Sequence, residues 1–365
     1  MTGHCPLLHG SRRGFEQKRG ENSHSLHQGV YEAMVPLNVI VTTAMVPIGE
    51  ECERLITSVS PRIKLREATD LALAERRGDP PAKEQLDALL AEAEVIYGFR
   101  FPKNLIARAP KLEWIQTMGA GVDFLDKELL QSPTVMTNMS GIHATPIGEF
   151  VLQLMLMFAK QAPLCFQLKQ EKQWKRFSLT VLRSKTVGIV GLGSIGREVA
   201  RLAKAFGMRV LATRRSARQV ARARHVDKLV PRQQLGQLLS ESDFVVLALP
   251  LTSETRRLIG EEELRSMKAT AYLINISRGN IVDEEALVRA LDERWIAGAG
   301  LDVFATEPLP ADSKLWQLPN VIFSPHVAGS MEDYFVRATE LFCENLSRYL
   351  AGKRLLNVVD KRKGY

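Results

Sequence analysis

The sequence predicts an α/β fold in which short parallel strands alternate with helices. An apolar run at residues 186–190 leads directly into a glycine-spaced loop and then into a helical period, as at the start of a βαβ unit. From residue 37 onward, other short apolar runs alternate with helical segments, as parallel βα units require. The length of 365 residues is sufficient for two such domains.

The composition is that of an ordinary globular protein, with 45% apolar and 25% charged residues. The four cysteines are far apart and form no C-x-x-C pair, so we expect neither a disulfide framework nor a metal site. The longest apolar run, residues 150–159, is too short to cross a bilayer, and the N-terminus lacks a signal-peptide pattern. We therefore expect a cytoplasmic protein without a membrane partner.

Residues 1–34 are polar and show no sustained apolar period, which predicts a disordered extension. Four of the seven histidines lie here, but their spacing matches no usual set of metal ligands. We expect the folded part to begin at Met34.

The first half of the chain predicts one open α/β sheet of its own. Strands are predicted at residues 37–43, 62–65, 95–98, 114–117 and 135–138, and helices at 50–59, 82–93, 103–109 and 123–130. The loops at residues 99–100 and 118–123 follow two of these strands, where such sheets hold ligands. Their glycines either turn backbone N–H groups towards a small anion or form plain tight turns.

The second half continues the alternation. Strands are predicted at residues 208–213, 243–250, 272–277, 298–303 and 321–324, in addition to the strand at 186–190. One long amphipathic helix at residues 148–169 is expected to connect the two halves. A C-terminal helix at residues 332–350 is expected to pack back on the first half.

The loop after residue 190 fits the pattern G-x-G-x-x-G. Gly191 permits a tight turn, Gly193 lets the backbone approach a pyrophosphate, and Gly196 lets the helix pack closely on the strand. The N-terminus of the following helix, at Ser194 and Ile195, directs unpaired N–H groups at that pyrophosphate. These five residues are therefore predicted to bind a dinucleotide.

The residues about twenty positions past the first glycine distinguish NAD from NADP. An NAD-preferring protein has an acid there for the ribose hydroxyls, but residues 211–216 contain none and include Arg214 and Arg215. Arginines can grip a 2′-phosphate through charge-assisted hydrogen bonds. This favours NADP(H); the alternative is that both arginines belong to a solvated basic face and NAD(H) is also used.

The net charge of +8 raises the question of a nucleic-acid partner. Residues 197–235, beside the dinucleotide loop, contain eleven basic and two acidic residues. A solvated basic face explains most of this surplus. We therefore expect no nucleic-acid partner.

Three later segments each end a predicted strand with a residue suited to hydride transfer. Arg278 suits a substrate carboxylate, because a guanidinium grips it with two parallel bonds. His326 suits proton transfer, since histidine changes charge closest to neutral pH. Glu307 suits a partner that favours the protonated imidazole. Spacing alone leaves open whether the three meet or serve as a surface ion pair, a loop acid and a capping residue.

Several blocks in the right order resemble the D-isomer-specific 2-hydroxyacid dehydrogenase family, over residues 34–365. The matching blocks are residues 119–123, 191–196, 249–256, 275–283, 298–308 and 324–329. The resemblance implies that Arg278, Glu307 and His326 are catalytic and that backbone around Ala120 and Gly121 joins Arg278 in binding the substrate carboxylate. It also implies cofactor contacts from Arg278 and His326 themselves and from Leu249, Pro250, Ile276, Ser277, Asp302 and Gly329.

The same resemblance implies an architecture. A flavodoxin-like substrate domain formed by residues 35–143 and 325–365 would enclose an inserted Rossmann domain, residues 144–324, with the active cleft between them. Homodimers are usual in the family. The given sequence ends soon after residue 360, so we expect no regulatory domain like that of many phosphoglycerate dehydrogenases.

The sequence therefore predicts an oxidoreductase that transfers hydride between NADP(H) and a small 2-keto acid such as glyoxylate or hydroxypyruvate. The arginines at the ribose position are as in NADP-preferring glyoxylate and hydroxypyruvate reductases. The alternative is a dinucleotide-sensing protein like the C-terminal-binding corepressors, which keep the same three residues. Formate dehydrogenase is disfavoured, because that relative pairs its histidine with glutamine, whereas Glu307 is acidic.

Overall fold

The computed structural model describes residues 35–43, 45–123 and 125–364, which form two α/β units, each around its own sheet. The extension predicted at residues 1–34 lies outside the described residues.

The first sheet has five parallel strands in the order β2-β1-β3-β4-β5. They are β1 Leu37–Thr42, β2 Ile63–Glu67, β3 Val95–Gly98, β4 Trp114–Thr117 and β5 Val135–Thr137. The helices of this part are α1 Glu50–Ser58, α2 Thr69–Arg76, α3 Pro80–Ala91, α4 Leu105–Arg108 and α5 Lys127–Gln131. This strand order is that of flavodoxin-like folds.

The second sheet has eight strands in the order β13-β12-β11-β10-β6-β7-β9-β8, of which only β8 is antiparallel to its neighbour. They are β6 Thr186–Val190, β7 Arg209–Thr213, β8 Ala221–Ala223, β9 Val226–Val230, β10 Phe244–Leu247, β11 Tyr272–Asn275, β12 Gly298–Leu301 and β13 Val321–Phe323. Every residue of the central strands β6 and β10 is buried, because helices cover both faces of the sheet. This is the Rossmann arrangement that the glycine motif predicts.

Most helices of the second unit are too short to show a clear helical period in the sequence. The helices are α8 Ser194–Ala205, α9 Leu235–Glu241, α10 Glu261–Ser266 and α11 Glu284–Asp292. Of these helices, the sequence predicted only α8. It predicted every strand of this sheet except β8 and β9, which form a hairpin. Short helices of six to nine residues complete too few turns for a clear period.

The single helix predicted at residues 148–169 is wrong. The chain forms α6, Ala144–Ala159, and α7, Ala162–Gln170, with Gln161 between them in the left-handed conformation at φ 50°. Pro163 lies in the first turn of α7 and has no N–H for the carbonyl of Ala159, so a continuous helix would lose that bond. The Ala159 carbonyl instead accepts a hydrogen bond from the backbone N–H of Thr180 at 3.0 Å.

No single helix among the described residues is long and apolar enough to span a membrane. By length and composition only, α6 and α7 meet that criterion together, as a pair bent by 60°.

The C-terminal helix α12, Tyr334–Leu350, packs against the first sheet, as predicted. The Phe342 ring stacks on that of Tyr97 with 4.3 Å between centroids. The buried Asn345 donates to the side chain of Gln116 in β4 at 2.9 Å. The first and last parts of the described chain therefore share one core, and the second sheet is inserted between them.

Candidate active site

A cleft of about 1570 Å³ lies between the two units, at the carboxyl ends of the strands of both sheets. Single small-molecule pockets have roughly 300–1,000 Å³, so this cleft has room for a dinucleotide and a substrate together. All predicted site residues except Gly196 line it: Ala120, Gly121, Gly191, Gly193, Ser194, Ile195, Arg214, Arg215, Leu249, Pro250, Ile276, Ser277, Arg278, Asp302, Glu307, His326 and Gly329.

The glycine loop between β6 and α8 has the geometry of a phosphate-binding turn. Gly191 has φ +106°, and a Cβ there would lie 2.3 Å from the carbonyl oxygen of Ala248. A Cβ at Gly196 would lie 2.1 Å from the carbonyl oxygen of Gly191, so this glycine allows the helix to pack on the loop. Gly193 has open space around it, and α8 begins at the next residue. The first N–H groups of the helix therefore face room for an anion.

The opposite end of the dinucleotide site follows β7. Arg214 and Arg215 line the cleft with exposed side chains, and no acidic residue follows this strand before residue 227. Beside them, Arg232 and Glu254 form an ion pair at 2.8 Å across the rim. This end of the cleft suits a group with more negative charge than a ribose hydroxyl.

Arg278 follows β11 and reaches across the cleft to the other unit. Its Nε lies 3.0 Å from Oδ2 of Asp123, its Nη2 lies 3.1 Å from Oδ1 of Asp123, and its Nη1 donates to the carbonyl of Ser277 at 2.7 Å. A guanidinium has five N–H groups, so one hydrogen on each Nη remains for a ligand. Two such N–H groups together can hold a carboxylate.

The backbone around Arg278 is fixed by a buried side chain. Asn275, 1% exposed, donates to the Arg278 carbonyl at 3.0 Å and accepts from the Ser277 N–H at 3.1 Å. The Ser277 hydroxyl continues the network to the Leu247 carbonyl at 2.7 Å. The turn that carries Arg278 is therefore tied to the buried end of the sheet.

His326 and Glu307 form a pair in the same cleft. The imidazole Nδ1 lies 2.8 Å from Oε2 of Glu307, and Oε1 of Glu307 accepts from the Phe304 N–H at 3.0 Å. A carboxylate at Nδ1 favours the proton on that nitrogen and leaves Nε2 for exchange with a ligand. The pair can therefore hold and transfer a proton.

Asp302 anchors the loop that carries His326. This carboxylate is 2% exposed and accepts from the Ser324 hydroxyl at 2.6 Å, the Val327 N–H at 2.8 Å and the Ala328 N–H at 3.0 Å. The Asp302 carbonyl also accepts from the His326 N–H at 2.9 Å. These bonds hold His326 in the left-handed conformation, at φ 56°, which few residues other than glycine adopt. The predicted contact of Asp302 with the cofactor remains a prediction.

The loop after β4 closes the substrate end of the cleft. Asn138 donates to the Ala120 carbonyl at 2.9 Å, and the Tyr334 hydroxyl donates to the Met118 carbonyl. A Cβ at Gly121 would lie 2.1 Å from Nη2 of Arg278, so this backbone directly adjoins the guanidinium. Both a tight turn and an anion site remain consistent with this geometry.

Four residues that sequence reasoning missed organise this site: Asp123, Asn138, Ser324 and Tyr334. Asp123 and Ser324 lie within the blocks that carry the family resemblance, so their position was a signal that was not used. Asn138 and Tyr334 are far in sequence from the loop that they hold, and no local pattern indicates that contact.

Comparisons with known proteins show which family this chain resembles. Residues 152–328 match the model of the D-isomer specific 2-hydroxyacid dehydrogenase NAD binding domain. Among curated relatives, the glyoxylate reductase of Korarchaeum cryptofilum is 37% identical over 292 residues, which cover 77% of this chain and 87% of the relative. That of Thermofilum pendens is 36% identical over 314 residues, which cover 81% of this chain and 90% of the relative.

Solved structures show the same fold. A D-isomer specific 2-hydroxyacid dehydrogenase family protein from Aeromonas salmonicida has 30% identity and a TM-score of 0.76, with 89% of this chain and 99% of that chain covered. The NADPH-dependent glyoxylate/hydroxypyruvate reductase of Sinorhizobium meliloti, in complex with NADP and sulfate, has 28% identity and a TM-score of 0.76, with 90% and 100% covered. The chain therefore belongs to the D-isomer specific 2-hydroxyacid dehydrogenase family and is an NAD(P)-dependent dehydrogenase.

Proposed function

We propose that this protein is an NADPH-dependent reductase of small 2-keto acids, with glyoxylate and hydroxypyruvate as its substrates. The observation that carries the proposal is the meeting of Arg278, Glu307 and His326 in one cleft with the glycine loop and the paired arginines. The glyoxylate reductases among the relatives, and the neighbour described with NADP, support the choice of substrate and cofactor.

The residues of the chain divide the reaction between them. The two free N–H groups of Arg278 hold the carboxylate of the keto acid beside the backbone of Ala120 and Gly121. The Nε2 of His326 donates a proton to the carbonyl oxygen at C2, and Glu307 keeps the imidazole oriented through its contact with Nδ1. The reduced nicotinamide, when bound, supplies the hydride to C2.

The residues that would hold the cofactor lie along the edge of the second sheet. The N–H groups at the start of α8 would hold the pyrophosphate, Arg214 and Arg215 would hold the 2′-phosphate, and residues 249–250, 276–277, 302 and 329 would form the rest of the groove. The domain boundaries at residues 35–143, 144–324 and 325–365 make the cleft an interdomain space. Closure of the two domains then excludes water from the hydride transfer.

A panel of keto acids tests the proposal directly. Purified protein is expected to oxidise NADPH with glyoxylate and with hydroxypyruvate, because the carboxylate site and the proton donor both face the cleft. Rates are measured with NADPH and NADH side by side. The absence of cofactor oxidation with every 2-keto acid in the panel would rule the proposal out.

Removal of the Arg278 guanidinium, which is proposed to bind the substrate carboxylate, should affect both KM and kcat. The Arg278→Ala variant is expected to raise KM and lower kcat, with kcat/KM down by roughly 10- to 100-fold, because charged hydrogen bonds to the substrate are lost. Arg289→Ala removes an exposed arginine paired with Glu261 and serves as the control, with unchanged kinetics. Wild-type kinetics in the Arg278 variant would exclude the assigned role.

The preference for NADPH should depend on the two arginines after β7. In the double variant Arg214→Ala/Arg215→Ala, NADPH is expected to bind about 10- to 100-fold more weakly, whereas NADH binding changes by less than about threefold. The control is Arg222→Ala/Arg224→Ala, which removes the same charge from the exposed hairpin outside the cleft. Equal weakening of both cofactors by the first variant would contradict the 2′-phosphate contact.

The protein is a homodimer in this proposal. Large apolar side chains are exposed along one stretch of the chain: Phe166 by 61%, Trp174 by 96%, Leu179 by 53% and Val181 by 61%. Such a patch on a globular protein is typical of an interface. Light scattering should give twice the chain mass of 40.8 kDa, and Trp174→Glu/Leu179→Glu should halve it, whereas Val220→Glu should not. A wild-type mass of one chain would refute the dimer.

A further inference from the structure

His143 is a second histidine in the cleft, and the proposed reaction does not use it. It precedes α6 as the capping residue, and its ring lines the same cleft as Arg278 and His326. A Cβ at Gly329 would lie 2.9 Å from its Cδ2, so the ring lies directly against the loop that follows His326. On the other side, the ring of Tyr334 is 5.4 Å away.

The imidazole of His143 has no hydrogen-bond partner among the described residues. Its Nδ1 is shielded from solvent and unpaired. Its Nε2 is not shielded in this way, so Nε2 is the nitrogen that reaches the cleft. Since no neighbour fixes the tautomer, Nε2 can either donate or accept a hydrogen bond.

Burial also lowers the pKa of His143 below its ordinary value, so the ring is neutral at neutral pH. A neutral imidazole matches a hydroxyl group, which donates and accepts as well. Nearby polar groups are already engaged, because the Tyr334 hydroxyl donates to Met118 and the Asn138 amide donates to Ala120.

The neighbours of His143 belong to the loops that carry or adjoin the proposed catalytic residues. Tyr334 reaches the loop that adjoins Arg278, and Gly329 belongs to the loop that carries His326. His143 therefore contacts both the loop that carries His326 and a residue that holds the loop beside Arg278. In the proposed binding mode, a keto acid held by Arg278 and His326 would place its C3 substituent against this wall.

We propose that His143 determines substrate specificity by forming a hydrogen bond from Nε2 to the C3 hydroxyl of a 3-hydroxy-2-keto acid. This inference rests on the proposed reductase function and narrows it: hydroxypyruvate is preferred over pyruvate, which has the same carbon skeleton without the hydroxyl. A site built to pair with a hydroxyl discriminates against the analogue that lacks it, because the protein group is then left unpaired.

The test compares hydroxypyruvate, pyruvate and glyoxylate in three variants. His143→Leu and His143→Asn are expected to lower kcat/KM for hydroxypyruvate by about 10- to 100-fold, because neither places a polar atom at the position of Nε2. Values for pyruvate and glyoxylate should stay within about threefold. His143→Gln reaches the position of Nε2 and should restore most of the hydroxypyruvate activity.

Other outcomes separate the alternatives. An equal loss for all three substrates in both His143→Leu and His143→Asn would give His143 a structural role, and a weaker affinity for NADPH, measured by titration without substrate, would assign it to the cofactor. Either result overturns the inference and leaves the reductase function intact. A wild-type protein that reduces none of the three acids overturns both.

Discussion

An ion pair between Arg278 and Asp123 joins the two units of this protein across the cleft. The arginine belongs to the eight-stranded sheet and the aspartate to the five-stranded sheet, 155 residues earlier in the chain. Because Asp123 occupies the Nε edge and the Ser277 carbonyl occupies one side of Nη1, only the outer edge of the guanidinium remains for a carboxylate. The proposed carboxylate site therefore takes residues from both units, and in the proposed mechanism domain closure completes it.

His326, the proposed proton donor, is held by a different kind of constraint, which lies within one unit. Asp302 is buried, and a buried carboxylate is costly unless donors surround it. Three donors from the loop after β13 satisfy it, and the same three bonds determine the path of the loop that carries His326. The left-handed backbone of His326 costs free energy, which this dense set of bonds offsets. His326 is therefore held by bonds within its own unit, whereas the position of the Arg278 side chain depends on Asp123 of the other unit.

The sequence predicted the parts of the fold that local patterns encode. The strands other than β8 and β9 were found because each is a short apolar run, and the glycine loop was found because three conformational demands fall within six residues. The break before α7 was missed, although Pro163 was visible, because the apolar period continues through it. The pairing of Arg278 with Asp123 could not be predicted, since it depends on how the two units are arranged, and no spacing along the chain reports that.

The unpaired polar atoms of the described residues give a further view of the cleft. Five buried side-chain atoms of the described residues lack a hydrogen-bond partner. Two of them belong to cleft residues: Oγ1 of Thr213 and Nδ1 of His143. Buried polar groups in folded proteins nearly always find partners, so a group left without one calls for an explanation. Thr213 ends β7, next to the arginines at the ribose end, and His143 lies at the substrate end. Two of the five unpaired atoms of the described residues therefore lie at the two ends of the cleft, the ends that the proposed cofactor and substrate would occupy.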